Sequence, residues 1–339
     1  MRLKQIKVLV VEDSIFMRTV ISDIINSDPQ LQVVGTAKDG EEALSKLDTL
    51  QPDVITLDVE MPRMDGLSVL KQIMRRKPKP VIMLSALTKE GALYTLKALE
   101  YGAVDYITKP SGNMSLNLHT IKDEIISKIK MAASANLLKL KAKSINIEPY
   151  ELADNVVAIG ASTGGPQALT YVLTSLPSNV PPILIVQHMP EGFTKSFAER
   201  LNELCKFKVK EAEEGDYVSE GLALIAPGGF HMRVSKTGRI KLDRTPPIHG
   251  VRPAVDPMMI SVANFYESKA IGVILTGMGR DGAYGMKKIK EHGGITIAQD
   301  KKTSVVFGMP KAAIEEGCVD IVLPLHKIPI EIMRRCKKK

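Results

Sequence analysis

A serine in a glycine-rich turn is the first residue of this chain that could act as a nucleophile. Ser162 lies in GASTGGPQAL, where Gly160 and Gly164 complete the G-x-S-x-G pattern of a nucleophile elbow. The apolar run VVAIG precedes this turn and PQALTYVLTSL follows it with helical spacing. The hydroxyl should therefore project from a sheet edge beside a helix N-terminus, which favours developing negative charge. The motif alone fits a phosphate-binding or purely structural turn equally well.

A base and an orienting acid, which a serine nucleophile needs, follow at comparable positions in the chain. His188 ends the strand-like segment ILIVQH, and Asp281 follows VILTG in a glycine-rich loop. Taken singly, they would be an ordinary loop histidine and a helix cap. Because the carboxyl ends of parallel strands meet at one edge of a sheet, we expect Ser162, His188 and Asp281 to converge.

Acidic residues form a second chemically capable group near the start of the chain. Glu12 and Asp13 follow the strand-like run IKVLVV, Asp58 ends DVITLD, Ser85 ends PVIMLS, and Lys109 follows VDYIT. Clustered carboxylates repel one another, so a cation is the natural resolution, and oxygen-only ligands favour Mg²⁺. A carboxylate, a divalent cation, a hydroxyl and a lysine together suit phosphoryl transfer onto an aspartate. For any one of these residues, a surface charge at a loop end is the alternative.

Two successive runs of alternating strands and helices would position these residues. Five strand-like segments alternate with helices over residues 1–111, and six more alternate with helices from about residue 155. This pattern predicts an α/β protein with an N-terminal (βα)5 flavodoxin-like domain and a C-terminal doubly wound, mostly parallel α/β domain. We expect these domains at residues 1–120 and 153–339, joined by a helical extension and linker over 121–152. One long helix is predicted over residues 115–143.

Residues 5–111 resemble response-regulator receiver domains over their whole length. The resemblance implies that Asp58 is the phospho-acceptor, with a chemotaxis histidine kinase as the phosphodonor. It also implies that Glu12, Asp13 and the backbone carbonyl of Glu60 join Asp58 in holding Mg²⁺, the cofactor of phosphorylation. Many receivers carry two aspartates where this chain has Glu12-Asp13, and the glutamate retains the charge.

The same resemblance assigns roles around the phosphoryl group. Ser85 and Lys109 would bind the phosphoryl oxygens, and Tyr106 would be the aromatic switch residue. The Lys109-Pro110 pair matches the Lys-Pro pair whose peptide bond is usually cis in receivers.

The second half resembles the methylesterase domain of the chemotaxis protein-glutamate methylesterases from about residue 155 to about residue 325. The matching segments are GASTGGPQAL, QHMPEGFTKSFAERL, APGGFHM, HGVRPAVDPM, ILTGMGRDGA and SVVFGMPKAA. The resemblance implies hydrolysis of γ-glutamyl methyl esters on methyl-accepting chemotaxis receptors, and deamidation of specific receptor glutamines. Ser162 would be the nucleophile, His188 the base and Asp281 the residue that orients it. The backbone N–H of Met278 would contribute to the oxyanion hole, and this half would need no cofactor.

A receiver fused to a hydrolase also implies control of the hydrolase. In the family, the unphosphorylated receiver restricts access to the catalytic domain. Phosphorylation of Asp58 would relieve that block by reorganising Ser85 and Tyr106, a two-state equilibrium biased by a new charge.

Composition and charge favour a cytoplasmic protein with no nucleic-acid partner and no direct membrane insertion. The net charge is +8, but residues 1–111 are neutral. Much of the remaining excess lies in a basic tail, interpreted as a solvated end, which contains Arg334, Arg335, Lys337, Lys338 and Lys339. Three widely spaced cysteines predict neither a disulfide framework nor a zinc site. No long apolar run or signal peptide is evident.

Two other functions remain as alternatives. A response regulator with a DNA-binding output is supported only by the receiver and the basic tail, and the second half is too long and strand-rich for a helix-turn-helix. A general α/β-hydrolase esterase orders its triad as serine, acid, histidine, so His292 or His326 would be the essential base. His231, His249 and Arg252 lie in Gly/Pro-rich loops and could either shape a substrate groove or lie at the surface.

Overall fold

The chain divides into two compact units, residues 1–139 and 140–339, each built around its own parallel sheet. The structure, a computed structural model, describes residues 5–109, 118–135 and 147–338. The boundary between the units falls within the segment predicted as the helical extension and linker. No helix among the described residues combines the length and the apolarity needed to cross a membrane.

Five strands and five helices alternate along the described residues of the first unit. The strands are β1 (Ile6–Val11), β2 (Leu31–Ala37), β3 (Val54–Asp58), β4 (Val81–Ser85) and β5 (Asp105–Thr108). The helices are α1 (Ile15–Asn26), α2 (Gly40–Leu50), α3 (Gly66–Arg76), α4 (Lys89–Glu100) and α5 (Leu118–Ala133). The strand order is β2-β1-β3-β4-β5 with every pairing parallel, so the predicted flavodoxin-like fold is confirmed.

Local sequence explains why the elements of this unit begin where they do. The strands β3 and β4 are buried at every position, as expected for central strands of a parallel sheet that are covered on both faces. Four helices, α1 to α4, begin at a polar residue whose side chain accepts the backbone N–H three residues on; these caps are Ser14, Asp39, Asp65 and Thr88. The strand ends and caps together shape one edge of the sheet.

One helix of the first unit is shorter than predicted. The sequence predicts a helix over residues 115–143, whereas α5 ends at Ala133 and is followed by a turn at Ser134. The apolar stripe that suggested the helix is partly buried here, with Ile125 and Ile129 in the core. Residues 115–117 and 136–143 lie outside the described part of the chain, as does Pro110, on which the predicted cis peptide depends.

The second unit has a seven-stranded parallel sheet and a separate antiparallel hairpin. The strands are β6 (Val156–Ala161), β7 (Ile183–Gln187), β8 (Lys208–Glu211), β9 (Leu222–Ile225), β10 (His231–Val234), β11 (Ile240–Asp243), β12 (Ala270–Ile274), β13 (Ile295–Gln299) and β14 (Ile321–Leu323). The helices are α6 (Gly165–Thr174), α7 (Phe193–Leu204), α8 (Val255–Tyr266), α9 (Ala283–Glu291), α10 (Met309–Glu315) and α11 (Ile328–Cys336). The sheet order is β14-β13-β12-β6-β7-β9-β8, and β10 pairs with β11.

The order in which strands are added to this sheet changes sides at β6. After β6 the chain adds β7 on one side, and it later adds β12 and β13 on the other side, with all of these strands parallel. Ligands of open α/β sheets bind outside the carboxyl ends of the strands at such a switch point. Ser162, His188 and Asp281 follow β6, β7 and β12 respectively, so the topology brings the three loops that carry them to this point.

Four elements of the second unit were not predicted from the sequence. They are the edge strand β8, the hairpin strands β10 and β11, and the last helix α11. In β8 a single buried residue, Val209, lies among charged ones, which gives too weak an apolar signal. From the sequence, the segment that forms α11 is interpreted as a solvated end because of its basic residues. The helix packs Ile332 and Met333 into the core, while Arg334 pairs with Glu331 at the surface.

Candidate active site and acidic pocket

Ser162 lies in a tight turn between β6 and α6 that leaves little room for side chains. The Ser162 N–H donates to Thr276 O at 3.1 Å, and the Gly165 N–H donates to Ser162 O at 2.7 Å. Gly164 has a φ of +73°, a conformation that favours glycine. A Cβ on Gly165 would collide with Oε1 of Gln187, whose amide nitrogen donates to Ser162 O at 3.0 Å. The glycines therefore serve the close packing that holds the serine at the sheet edge.

His188 and Asp281, predicted from strand ends 93 positions apart, are in direct contact. His188 Nε2 lies 2.8 Å from Asp281 Oδ2, and the aspartate side chain is only 2% exposed. The same carboxylate accepts the backbone N–H groups of Val255 at 2.6 Å and Asp256 at 3.0 Å. Burial alone would raise the pKa of Asp281, but the hydrogen bond and charge of His188, with the two backbone donors, lower it. Asp281 is therefore ionised at neutral pH and fixes one nitrogen of the imidazole.

With Nε2 engaged by an ionised carboxylate, the other nitrogen of His188 is left to act as a base. An ionised carboxylate only accepts hydrogen bonds, so Nε2 carries a proton and Nδ1 of the neutral ring is the acceptor. Among the described residues, neither Nδ1 of His188 nor the hydroxyl of Ser162 takes part in a hydrogen bond. Such contacts are often long before substrate binds and tighten in the complex. The arrangement suits proton abstraction from a serine on the Nδ1 side.

The loop after β12 places the Met278 backbone beside the serine. A Cβ on Gly277 would lie 2.8 Å from Ser162 Cβ, so this loop packs directly against the nucleophile candidate. Gly277 is itself tied down, because its N–H donates to Val306 O at 3.1 Å and its carbonyl accepts the Gly308 N–H at 3.0 Å. Within the part of the chain that the structure describes, the Met278 N–H donates to no backbone or side-chain acceptor. It is available to a developing oxyanion.

Three other histidines of the second unit, His231, His292 and His326, have different surroundings. His292 Nδ1 lies 2.8 Å from Lys288 O at the far end of α9, and His326 is exposed in a short turn. His231 is fully buried, with Nδ1 accepting the Ala254 N–H at 3.2 Å, so it has a structural role rather than a surface one. These positions give no support to a serine, acid, histidine order.

Residues at the ends of β1, β3 and β5 form an acidic pocket in the first unit. Glu12 and Asp58 are buried, Asp13 is exposed, and one carboxylate oxygen of each lies within 4.8 Å of the others. Lys109 Nζ lies 2.9 Å from Glu12 Oε2 and 2.7 Å from Asp58 Oδ2. These two oxygens touch the ammonium group, yet neither has a hydrogen bond of good geometry. Their remaining lone pairs and the all-oxygen donor set fit a Mg²⁺ ion.

Burial and mutual repulsion shift the pKa values of the charged groups in this pocket. Burial, followed by repulsion from Asp58, raises the pKa of Glu12 to about 7. Burial also raises the pKa of Asp58, against the opposing effect of Lys109. Burial alone would lower the pKa of Lys109, but the two carboxylates outweigh it and raise that pKa. One ammonium group thus leaves the pocket short of positive charge, a deficit that a divalent cation would remove.

The predicted phosphoryl-binding and switch residues lie at the neighbouring strand ends. Ser85 is buried at the end of β4, where its hydroxyl lies 2.7 Å from Thr95 Oγ1 and donates to Gly91 O at 3.2 Å. Tyr106 on β5 is buried, with Lys128 Nζ 5.1 Å from its ring centre. The Glu60 N–H donates to Asp58 Oδ1 at 3.3 Å, which places the backbone of Glu60 against the pocket.

The fold and the two sites define a class: a flavodoxin-like receiver followed by an α/β domain with a candidate serine-hydrolase site. Comparison with known families agrees, since the response regulator receiver domain matches residues 8–120 and CheB methylesterase matches residues 157–332. The chain belongs to the CheB methylesterase family.

The chain is similar to relatives over nearly its whole length. The chain is 55% identical, over 98% of its length and 94% of the relative's, to a protein-glutamate methylesterase/protein-glutamine glutaminase of Pyrococcus abyssi. It is 50% identical to the protein of the same name from Thermotoga maritima, over 97% of the chain and 98% of that relative. The crystal structure of the Thermotoga maritima CheB methylesterase catalytic domain superposes with a TM-score of 0.52 at 50% identity, covering 54% of this chain and 99% of that one.

Proposed function

We propose that this protein is a phosphorylation-activated methylesterase that hydrolyses γ-glutamyl methyl esters of chemoreceptors, deamidates specific receptor glutamines, and so serves chemotactic adaptation. The observation that carries the proposal is the buried His188–Asp281 pair at the sheet switch point, where the His188 backbone N–H donates to the carbonyl of Ala161, the residue before Ser162. Its relatives are named for both activities, methylesterase and glutaminase. We propose that it works in the cytoplasm with methyl-accepting chemotaxis receptors as substrates.

The chemistry would be acyl transfer in two steps. Ser162 Oγ attacks the ester carbonyl while His188 Nδ1 takes its proton, and the Met278 N–H donates to the oxyanion. The intermediate collapses with release of methanol, which receives its proton from His188, and an acyl-serine remains. Water then attacks that ester with His188 as base, giving the glutamate carboxylate and free Ser162. For a glutamine side chain, ammonia leaves in place of methanol.

The Asp281 carboxylate and the backbone N–H of Met278 would both stabilise the transition state. Asp281 holds the ring in the tautomer that presents Nδ1 to the serine and stabilises the imidazolium that forms. The backbone donors stabilise charge that exists only in the transition state, so they raise kcat rather than substrate affinity. The residues of this domain supply every group that these steps require, and we predict that the esterase domain needs no cofactor.

In the receiver, Asp58 would accept a phosphoryl group from a chemotaxis histidine kinase. Glu12, Asp13, Asp58 and the Glu60 carbonyl would hold Mg²⁺, which when bound offsets the negative charge around the phosphoryl group. Lys109 Nζ, 2.7 Å from Asp58, would bind a phosphoryl oxygen.

The change that follows phosphorylation would begin at Ser85. Its hydroxyl would leave its contact with Thr95 and bind another phosphoryl oxygen. Tyr106 would respond to that movement. We propose that the phosphate acts chiefly by relieving restricted receptor access to the catalytic domain. If phosphorylation left the full chain unchanged while the isolated second unit was far more active, this mode of control would be wrong.

The test is methanol release from methylated chemoreceptor membranes by the full chain, with and without acetyl phosphate and Mg²⁺. Wild type should release methanol faster with the phosphodonor, and Ser162→Ala should release none. Ser178→Ala, a change at an exposed serine of the same unit, is the control and should behave as wild type. No release from wild type under either condition, or full release from Ser162→Ala, would exclude the proposed chemistry.

A further inference from the structure

Two adjacent helices at the candidate active site lack caps of their own. Helix α8 follows Ala254 and helix α9 follows Gly282, and neither residue has a side chain that accepts a hydrogen bond. The first N–H groups of a helix have no partner within the helix, so each needs an acceptor from elsewhere. Both N-termini are buried, which makes the need stronger.

Each helix is capped by an aspartate that belongs to the other. Asp281, two residues before the start of α9, accepts the N–H groups of Val255 and Asp256 in the first turn of α8. Asp256 in turn accepts the Gly282 N–H at 3.0 Å and the Gly285 N–H at 2.7 Å at the start of α9. The two carboxylates are 2% and 5% exposed. We call these four hydrogen bonds, with residues Val255, Asp256, Asp281, Gly282 and Gly285, the reciprocal cap.

A histidine in an uncommon backbone conformation completes the reciprocal cap. His249 Nε2 lies 3.2 Å from Asp256 Oδ2. His249 and Gly250 have φ values of +54° and +79°, and Ile248 and Val251 exchange two backbone hydrogen bonds around them. A left-handed histidine costs free energy unless its position is used, and here the turn holds the imidazole against the carboxylate.

The reciprocal cap does not need a metal ion to hold it together. His249, Asp256 and Asp281 lie close enough for one ion. Every carboxylate oxygen of the two aspartates, however, already accepts a hydrogen bond from a backbone N–H or an imidazole. Burial and the charge of Asp281 raise the pKa of Asp256, while the Gly285 N–H and His249 act against that rise. Helix N-termini and the hydrogen bonds of His188 and His249 stabilise the two carboxylates instead.

We propose that Asp256 is a positioning residue of the active site, which holds the loop bearing Met278 and Asp281 in its reactive geometry. This inference rests on the proposed function. The Gly282 N–H that Asp256 anchors is adjacent to Asp281, whose carboxylate orients His188. The same loop carries Met278, and its other end is fixed at Gly277. Asp256 thus fixes the second end of the loop, which supplies the Met278 N–H and the Asp281 carboxylate.

The expected consequence of losing this anchor is slower chemistry with little change in substrate affinity. Displacing reacting groups by about 1 Å can lower the rate about 100-fold. Asp256→Ala should therefore lower kcat about 30- to 100-fold, with KM within about two-fold of wild type. Asp256→Asn should restore kcat to within about five-fold of wild type, because its amide oxygen can still accept both N–H groups.

The experiment measures methanol release by the phosphorylated full chain, together with the rate at which a fluorophosphonate labels Ser162 and urea unfolding of each variant. Asp320→Ala is the matched control: this aspartate also accepts a backbone N–H, from Thr296 at 2.9 Å, but it precedes β14, at the amino-terminal end of that strand and away from the candidate active site. It should lose stability without a matching loss of kcat. A folded Asp256→Ala variant with kcat within about three-fold of wild type would overturn the proposal. So would an Asn variant no faster than the Ala variant.

Two further measurements keep the test decisive. If Asp256→Ala does not fold, His249→Asn replaces it, since asparagine tolerates the left-handed backbone and removes only the imidazole contact. That variant should be folded with kcat lowered about three- to ten-fold, and an unchanged kcat would overturn the proposal. If wild type labels with fluorophosphonate at Ser162 but releases no methanol, the proposed substrate is wrong, and the labelling rates of the same variants still decide the role of Asp256.

Discussion

At the scale of single residues, the two units of this protein use carboxylates in opposite ways. Asp281 is surrounded by donors and has a lowered pKa, so it stays ionised and orients a base. Asp58 and Glu12 share one ammonium group and have raised pKa values, so they remain ready for a cation. The residue type is the same or nearly so, and the number of hydrogen-bond donors around it decides its chemistry.

Replacing Asp281 by asparagine tests the orienting role. The change removes the charge that fixes the tautomer of His188, so kcat for methanol release should fall by about 10³- to 10⁴-fold. The amide oxygen can still accept one or both N–H groups of α8, so the variant should fold. Circular dichroism and urea unfolding check the fold, and Ser178→Ala is the activity control. A loss below about ten-fold would mean that His188 is oriented by something else.

Removing Mg²⁺ tests the acidic pocket. With EDTA present, acetyl phosphate should no longer phosphorylate Asp58, because Lys109 alone does not offset the charge of the clustered carboxylates. Methanol release should then stay at the unstimulated rate, and excess Mg²⁺ should restore stimulation. Asp58→Asn should show the unstimulated rate with or without the metal. Stimulation that persists in EDTA would contradict the proposed magnesium site.

At the scale of elements, the sites depend on how closely strands and helices approach. In the first unit, α3 begins at Gly66, and a Cβ on this residue would collide with the backbone carbonyl of Asp58. The Gly66 N–H also donates to Val59 O at 3.0 Å, which closes the loop that carries Glu60. Asp58, the proposed phospho-acceptor, is therefore held by a helix packed directly on its own backbone.

Gly66→Ala should accordingly disturb both folding and phosphorylation. Overpacking at this contact should lower the free energy of unfolding of the first unit by about 1–3 kcal/mol. It should also slow phosphorylation by acetyl phosphate, because Asp58 must move. Arg75→Ala, at an exposed position of the same helix, should change stability by no more than about 0.5 kcal/mol. Equal stability of the two variants in urea would contradict the close-packing argument.

The elements that carry the candidate sites could be predicted from the sequence, and the elements around them only in part. Buried parallel strands have continuous apolar runs, and topology alone then brings Ser162, His188 and Asp281 together. The short edge strand β8 and the helix α11 lack such runs, since β8 is mostly charged and α11 has two arginines in its last turn. The reciprocal cap escapes prediction for another reason. Asp256 and Asp281 bond to helix ends that become neighbours only in the folded unit.

At the scale of the whole molecule, α11 closes the second unit. Cys336, its last residue, is completely buried, and burial raises the pKa of its thiol to about 12. After the helix, Lys337 pairs with Leu152, near the start of the described residues of this unit, and the Ala153 N–H donates to Cys336 O at 2.8 Å. The first and last described segments of the second unit are thus joined, which makes this cysteine a reporter of its global opening.

Thiol labelling of Cys336 should therefore follow unfolding of the second unit. At pH 8 the folded protein should react with iodoacetamide at this site at least about 100-fold more slowly than the protein in urea, because the thiolate is the reactive form. Mass spectrometry of the labelled peptides separates Cys336 from Cys205 and Cys318. Fast labelling of Cys336 in the folded protein would mean that α11 opens independently of the sheet.

The contact of Gly277 with Val306 and Gly308 has a consequence for the protein during its synthesis. The loop beside Ser162 is held in place by residues that the ribosome adds about thirty positions later, after β13 has formed. A nascent chain that has exposed its serine and histidine still lacks the segment that shapes the oxyanion donor. Hydrolytic activity should therefore emerge only when nearly all of the second unit has left the ribosome. The receiver, which is synthesised first, would already be complete at that point.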